Sequence, residues 1–207
     1  MLSPLFLITS IILRFTGEGE IFYFQERIGR HRNTFRIFKF ATMLKNSPNM
    51  GSGSLTSKAD HRILPVGRFL RKSKINELPQ LINILIGQMS FIGPRPHVAR
   101  DLAGVSDDQL AEILSSRPGI SSVASIIFRN EERILQELEE PRHFYDTVIA
   151  PYKASLELWY SRKRNFSFDM MLIFLTALSV IHHNPFIIFK ILPNIPRPPI
   201  GLENKLL

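Results

Sequence analysis

Apolar positions change their spacing along this chain, and each change marks an element. In Ile21–Gln25 and Phe35–Phe40, aromatic and β-branched residues form short runs of strand composition. A basic turn around Gly29 and Asn33 separates them, so the pair predicts a β-hairpin. Leu64–Lys72 and Glu77–Ile86 follow helical spacing. Ser106, with Gln109 three residues on, reads as a capping box opening a helix to about Leu114. Asn130–Glu140 predicts an acidic helix stopped by Pro141, and Tyr145–Arg162 a longer amphipathic one. Met50–Ser54 reads as a flexible loop. There is no internal repeat. The fold class expected is α+β: a mainly helical single domain with a small β-hairpin.

The two ends are more apolar than the middle. Met1–Leu13 is too short to cross a bilayer, which takes roughly 20 apolar residues. It also lacks the basic opening and small-residue cleavage site of a signal peptide. Ser3-Pro4 lies near its start, and proline is tolerated in membrane helices where a hydroxyl re-satisfies freed backbone groups. A buried core helix explains the same residues. Asp169–Leu192 is broken by His182-His183-Asn184-Pro185, so it predicts a helix lying along an interface and a short second apolar piece. Adjacent histidines do not share a helix face, which argues against a metal pair there. Pro193–Pro199 is too proline-rich for helix or inner strand.

Composition narrows the partner. The 207 residues suit one domain, and a net charge of +8 with pI about 10.0 points to an anionic surface. No helix-turn-helix, zinc or RNP pattern is present, so a membrane is favoured over nucleic acid. The absence of cysteine excludes disulfides and thiolate chemistry and fits a cytoplasmic face.

The densest chemistry lies in Lys74–Pro96, KINELPQLINILIGQMSFIGPRP. Pro94 and Pro96 flank Arg95, and each pushes the residue before it toward extended geometry. A guanidinium held that way suits bidentate contact with phosphate oxygens, and Glu77 is the nearby carboxylate for a divalent metal. A surface turn following an amphipathic helix accounts for the same text. Asn76 is suited to cap the helix, with Glu77, Leu78 and Pro79 in its first turn. Arg129 is a second phosphate candidate, and Arg68 reads as a structural ion-pair partner.

Five segments resemble the bacterial sugar transferase family, the monotopic phosphoglycosyl transferases, in that family's order. They are Ile21–Met43, Asp60–Leu81, Gly87–Pro96, Arg117–Ser121 and Leu156–Leu178. The resemblance implies transfer of a sugar-1-phosphate from a UDP-sugar to undecaprenyl phosphate, with magnesium, at the cytoplasmic face of a bacterial inner membrane. That is the first membrane step of O-antigen, capsule or other glycan assembly, with glycosyltransferases of the same pathway as partners. It also implies a membrane-inserted helix bent at a Ser-Pro pair, of which residues 1–16 would be the outgoing half. Residues 17–192 would be the catalytic domain and 193–207 a Pro-rich tail.

By the same resemblance Lys39 matches a family lysine, Arg117 opens a turn near the nucleotide, and Asp169 matches an aspartate before the last helix. The family carries Asp-Glu where this chain has Asn76-Glu77, and its GDMS stands here as Gly87-Gln88-Met89-Ser90. The family's Asp attacks phosphorus, whereas an amide is a very poor nucleophile. Asn76 and Gln88 would then orient substrate, and Glu77 would ligate magnesium or take over the attack. Three readings of Asn76 stay open: a branch with different chemistry, a weak relative that still binds substrate, or an engineered trap. The paired change at Gln88 argues against the last.

Overall fold

The computed structural model describes residues 3–50, 60–97, 105–181, 185–192 and 194–206. Residues 51–54 of the predicted loop, the His182-His183-Asn184 part of the break and Pro193 lie outside them. Helix α1 (Ser3–Arg14) leads into strands β1 (Phe22–Ile28) and β2 (Thr34–Phe40). These form the expected antiparallel hairpin, with Phe22 opposite Phe40 and Ile28 opposite Thr34. Its turn holds His31 and Arg32 at positive φ (56° and 63°), and the His31 N–H donates to the Leu114 carbonyl at 2.8 Å.

Strand alternation gives the hairpin two unlike faces. Phe35 and Ile37 on one face are buried, and Lys39 and Arg27 share it through the cross-strand register. The other face is aromatic. Phe22 stacks on Phe40 with centroids 5.5 Å apart, Phe24 meets Phe38 edge-on at 5.2 Å, and Phe6 of α1 covers Phe40. Leu13 of α1, Phe40 and Leu70 form a small core of their own.

Helix α2 (Pro65–Lys72) is followed by a 3₁₀ turn (Ile75–Glu77) and α3 (Gln80–Leu85). The single helix expected over Glu77–Ile86 is therefore split, and Asn76 does not cap it. Asn76 lies inside the 3₁₀ turn, and Pro79 occupies the N-cap of α3 with no side-chain cap bond. Strand β3 (Ser90–Ile92), helix α4 (Asp107–Ile113) and strand β4 (Gly119–Ser121) come next. The Ser106 hydroxyl accepts from the Gln109 N–H, as the cap pattern predicts.

The β3–β4 pair is parallel, with Ser90 beside Gly119 and Ile92 beside Ser121. Gly93 and Gly119 make this ribbon possible. A methyl group on Gly93 would sit 2.3 Å from the Arg117 carbonyl oxygen, and one on Gly119 would sit 2.2 Å from the Gly93 nitrogen.

Helices α5 (Val123–Ile127), α6 (Glu131–Gln136), α7 (Pro141–Phe144), α8 (Ala150–Lys163), α9 (Phe166–Ile181), α10 (Pro185–Ile191) and α11 (Glu203–Leu206) complete the chain. The acidic helix is shorter than expected, and Pro141 starts α7 rather than ending α6. A π-helical turn, Tyr145–Ile149, joins α7 to α8. Pro151 lies just beyond it and lacks the N–H that would bond back to Thr147, a local cause for the wider turn. The main core lies among α5, α8, α9 and α10. Ile195, Leu202 and Leu206 of the C-terminal stretch are buried in it.

Helix predominates in this mixed architecture, in line with the expected α+β class. Among the described residues no helix is long and apolar enough to cross a membrane.

Candidate active site

The hairpin's buried face, the 3₁₀ turn, the Pro-Arg-Pro segment and β4 meet around one cleft. It is lined by Arg27, Ile37 and Lys39, by Glu77 and Gln80, by Arg95 and Pro96, and by Gly119 and Ile120. Lys74 takes a left-handed φ of 61°, a conformation costing a non-glycine residue on the order of 1 kcal/mol or more. It reverses the chain after α2 and turns Glu77 toward β2.

Lys39 Nζ and Glu77 Oε1 stand 3.5 Å apart, both side chains largely buried. Burial alone would raise the Glu77 pKa, yet the charges of Lys39, Arg95 and Lys74 overcome it and hold the carboxyl at about 2. Burial lowers Lys39 to about 8, with Glu77 opposing and Arg95, Arg27 and Arg71 reinforcing the shift. Lys74 is lowered for the same first reason. At neutral pH the cleft thus offers an ionised carboxylate beside several cations.

The backbone of the Pro-Arg-Pro segment is held from several sides. Gly93 N–H donates to Ser121 O at 3.1 Å, and Pro94 O accepts from Gly119 N–H at 2.9 Å. Pro96 O accepts from Arg27 Nη1 at 3.1 Å, and His97 O from Ile28 N–H at 2.9 Å. His97 Nε2 is buried without a hydrogen-bond partner, and burial near Arg95, Lys153 and Arg27 pushes the imidazole down to about 3. It is neutral.

Of the residues singled out from sequence, Lys39, Glu77 and Arg95 meet in the cleft. Arg129, half-buried, has its pKa lowered by burial against the pull of Glu77, which places it within that carboxylate's field. Asn76 is buried at 6% exposure with its Oδ1 unpartnered, and it does not line the cleft. Gln88 and Arg117 are not brought there either. Gln88 Oε1 accepts from Asn83 Nδ2 at 2.9 Å, and the exposed Arg117 reaches toward Gly87. Arg71, rather than Arg68, makes the ion pair, with Glu132 at 2.7 Å. Asp169 lies in the first turn of α9 and accepts from the Tyr160 hydroxyl at 2.8 Å.

Arg27 reaches the cleft through strand alternation, a signal available once the hairpin register is known. Two residues with larger roles, Asn83 and Glu157, were missed from sequence. Asn83, fully buried, bonds the strand backbone at Phe38 N–H (3.0 Å) and Arg36 O (2.8 Å), fastening α3 to β2. Glu157 on α8 is fully buried, and burial pushes it up to about 7. An acid between Leu156 and Trp159, beside the buried positions Tyr152, Leu156 and Tyr160, was the available signal.

Residues 1–183 match the family model described as bacterial sugar transferase. The chain is 38% identical over 144 residues to the exopolysaccharide production protein ExoY of Sinorhizobium fredii, covering 63% of each protein. It is 30% identical over 186 residues to the UDP-N-acetylgalactosamine-undecaprenyl-phosphate N-acetylgalactosaminephosphotransferase of Aeromonas hydrophila. That match covers 87% of this chain and 40% of the relative. Undecaprenyl-phosphate galactose phosphotransferase of Salmonella typhimurium is 31% identical over 180 residues, 80% of this chain and 34% of its own. These matches span under two thirds of each relative's length. With the family model extending across most of its length, the chain belongs to the bacterial sugar transferase family.

Proposed function

We propose that this protein is a phosphoglycosyl transferase that moves a sugar-1-phosphate from a UDP-sugar to undecaprenyl phosphate. It would act at the cytoplasmic face of a bacterial inner membrane, opening the assembly of an exopolysaccharide or related glycan that later glycosyltransferases extend. The observation that carries the reading is the cleft itself: Arg27, Lys39 and Arg95 around one ionised carboxylate, Glu77. Such a set suits a diphosphate, whose charge grows on the bridging oxygen as it breaks. The family and the names of its relatives support the chemistry.

The bond broken is the one joining the sugar-bearing phosphorus to the UMP oxygen. Either an acceptor phosphate oxygen displaces UMP at that phosphorus directly, or the Glu77 carboxylate displaces UMP first and the acceptor oxygen then displaces Glu77, freeing the carboxylate. Arg95 and Lys39 bind the departing and transferred oxygens. Magnesium typically takes one or two carboxylates and fills the rest of its shell with substrate phosphates and water. One ionised Glu77 on the cleft fits that donor set, and no group of three acidic, His or Cys ligands occurs among the described residues. When bound, the ion would supply further neutralisation of the diphosphate.

Membrane contact is supported by exposed apolar side chains. Leu7, Ile8, Ile11 and Phe15 lie on or just after α1, and Phe166, Met170 and Phe174 on α9. Both helices would lie in the lipid interface, α1 as part of a bent insertion.

A second reading is favoured by Asn76: a relative that binds substrate without turning it over. UMP release from a panel of UDP-sugars, with undecaprenyl phosphate and magnesium, tests both on wild type and Asn76→Asp. Turnover by wild type upholds the transferase. Turnover only by the Asp variant assigns the protein to substrate binding, and turnover by neither overturns the enzyme reading.

A further inference from the structure

Between Gly93 and His97 the chain carries two prolines, so Arg95 supplies the single amide N–H between them. The surrounding backbone groups already have partners on β4, β1 and Arg27. The Arg95 N–H has only a side chain to turn to. It donates to Glu157 Oε1 at 3.4 Å, from a helix 62 residues further on. Glu157 is fully buried, its Oε2 has no hydrogen-bond partner, and the nearby Ser122 side chain at the N-cap of α5 pulls its pKa down against burial.

A carboxylate is an expensive group to seal in a core. An apolar side chain of the same volume would pack there without the desolvation cost. What an apolar residue cannot do is accept from Arg95. We infer that Glu157 is a positioning residue for the phosphate-binding Arg95, fixing its backbone so that the guanidinium enters the cleft already aimed.

The inference rests on the transferase reading for the identity of the ligand, and on geometry alone for the hold on Arg95. The same carboxylate meets Ser122 of α5, the loop at Arg95 and, by charge, Lys153 and Tyr160 of its own helix. It therefore ties the loop to the main helical core rather than to the hairpin. Affinity gained this way comes from preorganisation, since a guanidinium already in place loses less freedom on binding.

The test uses the full chain in lipid nanodiscs. Hydrogen exchange is read on the peptide spanning residues 93–97, where Arg95 has the one amide between the prolines. Uridine diphosphate with magnesium is the binding probe. Glu157→Leu is expected to speed Arg95 exchange at least tenfold and weaken the probe about tenfold. Glu157→Gln, which keeps the acceptor, is expected to rescue both. In an Arg95→Ala background Glu157→Leu should add less than a twofold loss.

Unchanged exchange in Glu157→Leu overturns the inference, as does a tenfold binding loss that persists without the arginine side chain. If Glu157→Leu fails to fold, Glu157→Met, also lacking a strong acceptor, carries the same comparison. A wild type that does not bind the probe overturns the transferase reading, while the exchange arm still decides whether Glu157 holds Arg95.

Discussion

Glu77 and Glu157 both engage Arg95, and they do so under opposite electrostatic regimes. Glu77 meets the arginine through charge, with Lys39 and Lys74 added, and its carboxyl is held at about 2. Glu157 meets it through the backbone N–H and a smaller effect of charge, and burial raises it to about 7. Both are withdrawn from water. The number of compensating cations decides the outcome: several for Glu77, whereas around Glu157 the hydrogen bonds and the Arg95 and Lys153 charges fall short of desolvation. Burial by itself does not define a functional carboxylate; its partners do.

The sharpest way to break this contrast is to remove the ionised member. Glu77→Gln is expected to lower UMP release by a factor on the order of 10³ while the protein stays folded, read by initial rates and circular dichroism. Retention of a tenth of the wild-type rate would remove Glu77 from the chemistry.

The raised member predicts a stability profile. Because its folded pKa of about 7 exceeds the unfolded 4.5, folding takes up a proton between those values. Its contribution is full below pH 4.5 and is lost as pH rises through 7, up to about 3 kcal/mol at 1.36 kcal/mol per pKa unit. Denaturant melts from pH 4.5 to 8 should show that decline in wild type and a flatter line in Glu157→Gln. Glu77 works the other way: its contribution is present above pH 4.5 and is lost as pH falls through about 2.

Lys39→Met sharpens the comparison from the cation side. Removing the largest lowering charge should bring the Glu77 pKa up, seen by carboxyl NMR titration, and cost about tenfold in turnover. The smallest effect is expected for Gln88→Ala. Gln88 is exposed and contacts Asn83 rather than the cleft, so activity should stay within about threefold of wild type.

Only the Glu77 side of this contrast is legible in the sequence. The hairpin and the cap at Ser106 follow from local periodicity and turn chemistry, Glu77 and Arg95 stand out in the Lys74–Pro96 text, and Lys39 is marked by the family resemblance; that the three meet is seen only in space. The three-residue strands β3 and β4 did not, because a parallel pair that short leaves no alternation to read. Asn76 was misplaced as a cap because cap preference is local, whereas the left-handed Lys74 redirects the chain. The substrate role of Gln88 is implied by the resemblance alone, and in the structure its Oε1 accepts from Asn83 Nδ2. Glu157 escaped because its partner lies 62 residues away and no local rule marks an acid as buried.

The hairpin carries Arg27 and Lys39 on one side and Phe22, Phe24, Phe38 and Phe40 on the other. Inserting or deleting one residue within either strand would exchange these populations, sending the cations outward and those aromatic rings toward the cleft. Divergence in this segment is therefore expected by replacement at fixed length, with changes in chain length confined to the turn between the strands.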